Sequence, residues 1–256
     1  MDVDRIDYLM RDAHETGVSY GLIDIERLIH TLTIDKNNYL AVEDGGRQAL
    51  ENFLMARYHM YQAVYYHKTV VSFELMLQRI YEKLIEKGAY NYEQICKLSE
   101  EDFYDFNDGY VWNLLRENRK SPEHIGELIT RFRKRMRLKK IIQIQGISVS
   151  GREKSEYSKL SLIENPYQMK NLSGLSGVPE DWIFYSAPKP LAILSKAEDE
   201  TAIHVIKEDG ESIPIAKDQD SIIYNFYDSC FLSSRVYTKD EFEPSLLKGI
   251  KDCFDV

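Results

Sequence analysis

A mainly α fold followed by a smaller α/β region is predicted, on three observations. Apolar residues recur at helical spacing through a run of roughly forty residues, ALENFLMARYHMYQAVYYHKTVVSFELMLQRIYEKLIEKG, from about Arg47 to Gly88. The first sixteen residues carry a second helical stripe. At about Leu138 the period changes, and LKKIIQIQGISVS reads as a strand. These place a helical part at 1–137, with a short β-hairpin at about 31–43, and an α/β part at 138–256.

The elements follow in order. Val3, Ile6, Leu9, Met10 and Ala13 form one apolar stripe over 3–16, and Gly17 is a natural stop. Asp24 is placed to N-cap a second helix, IERLIHTL. TLTIDKNNYLAVE reads as two short strands around Lys36-Asn37-Asn38. The forty-residue run exceeds an ordinary globular helix, so Thr69-Val70-Val71 reads as a bend or break, or alternatively as a buried turn of one long helix. Helices are predicted over 92–98, 100–106, 108–118 and 122–135. Beyond 138, GISVSGREKSEYSK reads as a connection and DWIFYSA as a strand. AIHVIKEDGESIPIAK reads as a hairpin around Asp209-Gly210, CFLSSRVYT as a strand and EPSLLKGIKDCF as a closing helix.

Composition narrows the function classes. There are 33 Lys and Arg against 42 Asp and Glu, a formal charge of −9, which argues against nucleic-acid binding by the whole surface but leaves room for a local basic site. Cys96, Cys230 and Cys253 are odd in number and without metal spacing, as expected of a reducing, cytoplasmic compartment. No apolar run reaches membrane-spanning length and no signal peptide is read, so no membrane partner is expected. There is no P-loop, GxGxxG, GxSxG or HExxH, and no His-Asp dipeptide.

Three stretches could carry chemistry. Asp4, Tyr8 and Asp12 lie at i, i+4 and i+8 on one helix face beside Arg5. They could bind a metal, a sugar hydroxyl and a phosphate, or form a solvated face with acids at the helix's positive end. Arg57, Tyr61, Tyr65 and Lys68 share another face; cations with phenols between them suit a nucleotide, and equally an aromatic core helix with snorkelling basic ends. In RFRKRMRLKK, 131–140, seven of ten residues are basic. That density points to a phosphate-binding role, with nucleic acid as a competing partner and a dipole-favoured helix end as the plain alternative.

DVDRIDYLMRDAHETGV resembles the D-V-D-x-x-D-Y-x-x-R-D signature of the HD-superfamily deoxynucleoside triphosphate triphosphohydrolases, which include dGTPase-like enzymes and SAM- and HD-domain dNTPases. The likeness continues through DIERLI, ARYHMYQAVYYHK and the basic segment. It implies an incomplete HD-type helical domain followed by an α/β regulatory and assembly region. It also implies Asp4 as a metal ligand, and Arg5, Tyr8, Asp12, Arg57 and Tyr65 as substrate contacts. An allosteric nucleotide site would use Arg27, His67, Lys68, Arg135 and Lys139. VEDGGRQ, 42–48, departs from the basic residues of regulated members. The family's other metal ligands, a His and a His-Asp pair, lie upstream of D-V-D. The chain is therefore expected to be a C-terminal portion that binds deoxynucleoside triphosphates and forms homo-oligomers. It is further expected to hold no divalent metal of its own, to be inactive alone, and to expose Ile6 and Met10 as a self-associating patch.

Overall fold

The computed structural model describes residues 3–89, 91–121, 124–149, 166–187, 191–192, 202–226 and 229–252. In chain order the elements are α1 (Val3–Thr16), α2 (Ile25–Thr31), β1 (Leu32–Ile34), β2 (Leu40–Glu43), α3 (Arg47–Met60) and α4 (Lys68–Glu86). Next come α5 (Tyr92–Cys96), α6 (Glu100–Tyr104), α7 (Asp108–Asn118), α8 (His124–Arg133), β3 (Lys139–Val149), α9 (Pro166–Ser176) and β4 (Phe184–Ser186). The chain continues with β5 (Leu191–Ala192), β6 (His204–Ile206), β7 (Ser212–Pro214), β8 (Ser229–Thr238) and α10 (Pro244–Asp252). The predicted mainly α character with a smaller strand-bearing region holds. Cys253, and residues 150–159 of the predicted connection, lie outside the described residues.

The fold resolves into two compact units interleaved along the sequence. Met1–His67, Ile144–Ser161 and Ala187–Ser234 make the first; Lys68–Gln143, Leu162–Ser186 and Arg235–Val256 make the second. Leu138, where the sequence period changes, lies inside the second unit, one residue before β3 begins at Lys139.

In the first unit, α1 follows its stripe, with a difference. Ile6, Leu9 and Ala13 are buried, whereas Val3 and Met10 are exposed. The i, i+3, i+7 row makes the inner face and Met10 falls on its margin, so Ile6 is not part of an exposed patch. Gly17, at φ +73°, ends the helix with Val18 N–H donating to Ala13 O at 3.1 Å. The Asp24 side chain caps α2 by accepting from Arg27 N–H at 3.1 Å. A sheet of order β1-β2-β6-β7 covers this core. β1 and β2 are antiparallel, with Leu32 opposite Val42, and turn at Asn38 (φ 64°). β2 runs parallel to β6, with Val42 opposite Val205. β6 returns antiparallel to β7 around Gly210 (φ 84°). Leu28, Val42, Leu50, Phe53, Met60 and Val205 join α1 in one apolar core.

The long helical run breaks earlier than Thr69–Val71. Tyr61–Tyr65 forms a π-helical turn, Tyr66 N–H donating to Tyr61 O at 2.7 Å, and α4 restarts at Lys68. The β-branched residues lie within the first turn of α4, where Val71 is buried.

In the second unit α4 packs on α8, burying Val71, Met76, Ile80 and Leu84 together with Leu128 and Ile129. β4 pairs antiparallel with the end of β8, Phe184 opposite Tyr237. The predicted strand DWIFYSA begins only at Phe184, because Glu180–Trp182 forms a 3-10 turn that brings Trp182 inward. Thr238 Oγ1 donates to Trp182 O at 2.6 Å and holds that turn.

Candidate functional site

The first helix and the third converge on one polar cluster in the first unit. α1 contributes Arg5, Tyr8 and Asp12; α3 and the π turn contribute Arg57, Tyr61 and Tyr65. Tyr65 Oη donates to Asp12 Oδ2 at 2.6 Å, across fifty-three residues of sequence. The Tyr8 and Tyr65 rings meet edge to face with centroids 6.1 Å apart, and Tyr61 and Tyr65 do so at 4.9 Å. The Arg57 guanidinium lies over the Tyr61 ring, 5.4 Å from its centroid.

The π turn helps this meeting. Eight residues of ideal α-helix would leave Tyr65 about 80° round from Arg57. A wider turn takes back part of that rotation, and such turns recur at functional sites.

The cluster's electrostatics follow from its make-up. Burial, and then the hydrogen bond and charge of Tyr61, push the Tyr8 phenol up to about 12; Arg57 and Arg5 oppose this. Burial and the bond to Asp12 hold the Tyr65 phenol above its ordinary range. Both phenols are therefore protonated donors at neutral pH. Two guanidiniums against one carboxylate leave the group net positive, a setting that attracts a phosphate while Asp12 accepts from a hydroxyl. Tyr61, on the predicted helix face but outside the predicted substrate set, belongs to the cluster through its bond to Tyr8.

Asp4 is exposed on the first turn of α1. Among the described residues no group of three His, Cys, Asp or Glu side chains is placed to hold a metal ion. One carboxylate does not fit a catalytic metal centre.

The basic run 131–140 divides. Arg131, 2% exposed, is no phosphate ligand: it pairs with Asp240 at 3.3 Å, Glu127 at 3.5 Å and Glu241, and lies over Trp182. Arg133, Lys134 and Arg135 are exposed, Arg135 in a left-handed turn at φ 56°. Lys139 and Lys140 open β3 and, with Lys68, Arg137, Tyr237 and Asp240, line a cleft of about 360 Å³ in the second unit. Of the predicted allosteric residues, Lys68 and Lys139 thus share a cleft. Arg27, in the first unit, donates from Nε to Gly45 O at 2.8 Å, and His67 is exposed at the end of that unit's first stretch. Gly46 of VEDGGRQ serves packing, since a Cβ there would overlap the Thr31 side chain.

One buried polar group went unread in the sequence. Asp35 accepts from Ser212 Oγ at 2.6 Å, Asn37 N–H at 2.8 Å and Tyr39 N–H at 2.9 Å, with His204 Nδ1 at 3.1 Å. The Ser212 bond, with those from Tyr39, His204 and Asn37, outweighs burial and holds the Asp35 carboxyl far below the usual range. Asn37 and Tyr39 are local to Asp35, whereas the β2–β6 and β6–β7 pairings bring in His204 and Ser212, so no local spacing signals the whole network. Among the described residues no helix is long and apolar enough to cross a membrane.

Several known proteins share parts of this sequence. An 80-residue stretch is 41% identical to the uncharacterised protein YwfO of Bacillus subtilis, covering 31% of this chain and 18% of that protein. A 110-residue stretch is 32% identical to the putative HD domain-containing protein L394 of Acanthamoeba polyphaga mimivirus, covering 41% and 24%. The matches thus span about a quarter or less of these relatives. A crystal structure of a hypothetical protein from Aquifex aeolicus superposes with a TM-score of 0.70 at 26% identity, over 97% of this chain and 57% of that one. A phosphohydrolase from Bacteroides thetaiotaomicron shares the fold at TM-score 0.62 and 23% identity, over 93% and 61%. Residues 23–204 match the family described as HD associated region, and with most of its length inside that match the chain belongs to this family of HD-superfamily proteins.

Proposed function

We propose that this chain is the nucleotide-holding part of an HD-type phosphohydrolase that converts a deoxynucleoside triphosphate to deoxynucleoside and triphosphate. The convergence of Arg5, Tyr8, Asp12, Arg57 and Tyr65 carries the reading. Membership of the HD associated region family and the fold shared with a phosphohydrolase support it. Arg57 and Arg5 offset phosphate charge, Tyr8 donates to a phosphate oxygen, and Asp12, oriented by Tyr65, accepts from a sugar hydroxyl. Asp4, one exposed carboxylate on the first turn of α1, is the candidate contribution to a metal and does not hold one by itself. Among the described residues no group of three metal-ligating side chains is found, and the chain is expected to bind without turnover.

Titration calorimetry with dGTP tests this. Micromolar binding is expected, weakened about tenfold, ~1.4 kcal/mol, by Arg57→Ala. Asp12→Ala should erase the preference for dGTP over its 3′-deoxy analogue. Absence of binding at millimolar nucleotide would overturn the assignment. Release of triphosphate by the chain, abolished in Asp4→Ala, would overturn its inactivity.

A regulatory nucleotide site is the second reading, favoured by Lys68, Arg137, Lys139 and Lys140 around one cleft. Lys139→Ala should weaken a second dGTP binding event and leave the first unchanged. Homo-oligomerisation belongs to the same reading, and light scattering with and without dGTP measures it.

A further inference from the structure

One corner of the second unit keeps large apolar side chains outside. Every residue of α6 is exposed, and its two rings are open to solvent, Phe103 at 63% and Tyr104 at 74%. The chain runs on into Phe106 and Tyr110, whose rings meet with centroids 5.2 Å apart. Phe106 N–H donates to Phe103 O at 3.0 Å, and Asn107 Nδ2 donates to Tyr104 O at 3.3 Å. Asn107 then caps α7 by accepting from Gly109 N–H at 2.8 Å. The α6–α7 corner is thus shaped by its own backbone and cap, and the rings of Phe103 and Tyr104 are displayed on it. Single exposed apolar residues need no explanation, but four aromatic residues within eight, three of them exposed, mark an interaction surface.

The charge around the rings has one sign. Residues 91–108 hold six carboxylates, Glu93, Glu100, Glu101, Asp102, Asp105 and Asp108, against Lys97 alone, and all are exposed. Two have local partners: Glu93 pairs with Lys97 at 3.8 Å, and Asp102 accepts from Ser99 Oγ at 2.6 Å. The helix dipole favours acids in the first turn of α6. It does not explain Asp105, which stands at the C-cap where the same dipole disfavours an acid.

Interleaved rings and carboxylates select the occupant. A guanidinium stacks on an aromatic face while donating to a carboxylate beside it, whereas an anion is repelled and an apolar surface leaves the acids unpaired. The second unit makes this pairing internally, where the Arg131 guanidinium lies over Trp182 and pairs with Asp240 at 3.3 Å. At the α6–α7 corner the rings and acids recur, and among the described residues no arginine lies over Phe103, Tyr104 or Tyr110. We propose that Phe103, Tyr104 and Tyr110, beside Glu100, Glu101 and Asp105, form a docking surface for an arginine-rich segment of a partner protein.

Fluorescence anisotropy of the whole chain with a labelled peptide of about 14 residues, arginines alternating with leucines, tests this. Binding at about 10–100 µM is expected at low salt, weakening as salt is added. A lysine-for-arginine peptide should bind about threefold more weakly, because an ammonium neither stacks nor forks in the same way. A glutamate-for-arginine peptide should not bind. Phe103→Ser with Tyr104→Ser, at exposed positions and checked by circular dichroism, should weaken binding about tenfold and leave dGTP binding unchanged. Glu100→Gln, Glu101→Gln and Asp105→Asn together should weaken it about as much. Equal binding of the lysine peptide, an indifferent aromatic variant, or no binding at about 1 mM peptide would overturn the proposal. A second copy of this chain is the rival occupant, since Arg133, Lys134 and Arg135 are exposed. Light scattering that shows a dimer converted to monomer by Phe103→Ser with Tyr104→Ser would give the corner to that copy and overturn the proposal.

Discussion

The tyrosine cluster of the first unit and the lysine cleft of the second both gather cations, and they balance them in opposite ways. Arg5 and Arg57 stand among three phenols and a carboxylate, joined by the 2.6 Å bond from Tyr65 to Asp12. Lys68, Lys139 and Lys140 stand mainly among other cations, while Asp240, Glu241 and Glu127 are drawn to Arg131 and Lys239. The first arrangement is organised before any ligand arrives, with Tyr65 bonded to Asp12 and the Arg57 guanidinium over the Tyr61 ring. The second gains most from an added anion. The same ten-residue run supplies both the neutralised Arg131 and Lys139 and Lys140, for which no ion pair is found among the described residues. Secondary structure makes the difference: Arg131 sits on the inner face of α8, and the lysines sit at the start of a strand.

The contrast can be broken most sharply at Arg131. Arg131→Met should cost about 3 kcal/mol, since it strips a buried cation from three carboxylates. Thermal unfolding should then shift down by about 8 °C. A variant of unchanged melting temperature but lost anion affinity would move Arg131 into the binding group and erase the distinction.

Acid should separate the units. Burial holds His124 neutral, its pKa depressed to about 4, with its ring edge-on to Trp182 at 4.4 Å. The unfolded chain binds that proton more readily, so the second unit loses stability as pH falls from roughly 6.5 to 4, by about 2 kcal/mol once solvent screening of the partly exposed ring is allowed for. Asp35 acts lower. Its folded pKa is depressed, so its contribution is full above the unfolded value of about 4 and is lost as pH falls further. Urea midpoints against pH, in His124→Phe and Asp35→Asn, should each flatten one limb. Both limbs flattening together in either variant would mean the units unfold as one.

Tyr65→Phe removes the bond to Asp12 and should cost about 1 kcal/mol by denaturant titration. The smallest effect is a gain. Arg135→Gly relieves a left-handed residue and should stabilise by about 0.5–1 kcal/mol, leaving dGTP affinity of the first cluster unaltered.

Much of this was legible because it is local. The α1 stripe, the Asp24 cap and the turns at Asn38 and Gly210 are each written within a few residues, where period and turn chemistry act. The D-V-D motif and the Arg57–Tyr65 face together named five residues that do converge. The break in the long helix was misplaced because a π turn has no simple composition signal; Tyr61–Tyr65 reads like any helical tyrosine run. Arg131 was misread because a basic run does not say which member faces inward.

Local spacing and charge, then, determined the elements, their caps and the candidate faces. The tertiary structure decided which cations are neutralised, that Asp35, His204 and Ser212 share one buried bond network, and which distant stretches gather into each of the two compact units. The reason is distance along the chain. Periodicity reports a residue's relation to its own helix or strand, whereas ion pairing and burial depend on partners more than a hundred residues away, as Arg131 and Asp240 are.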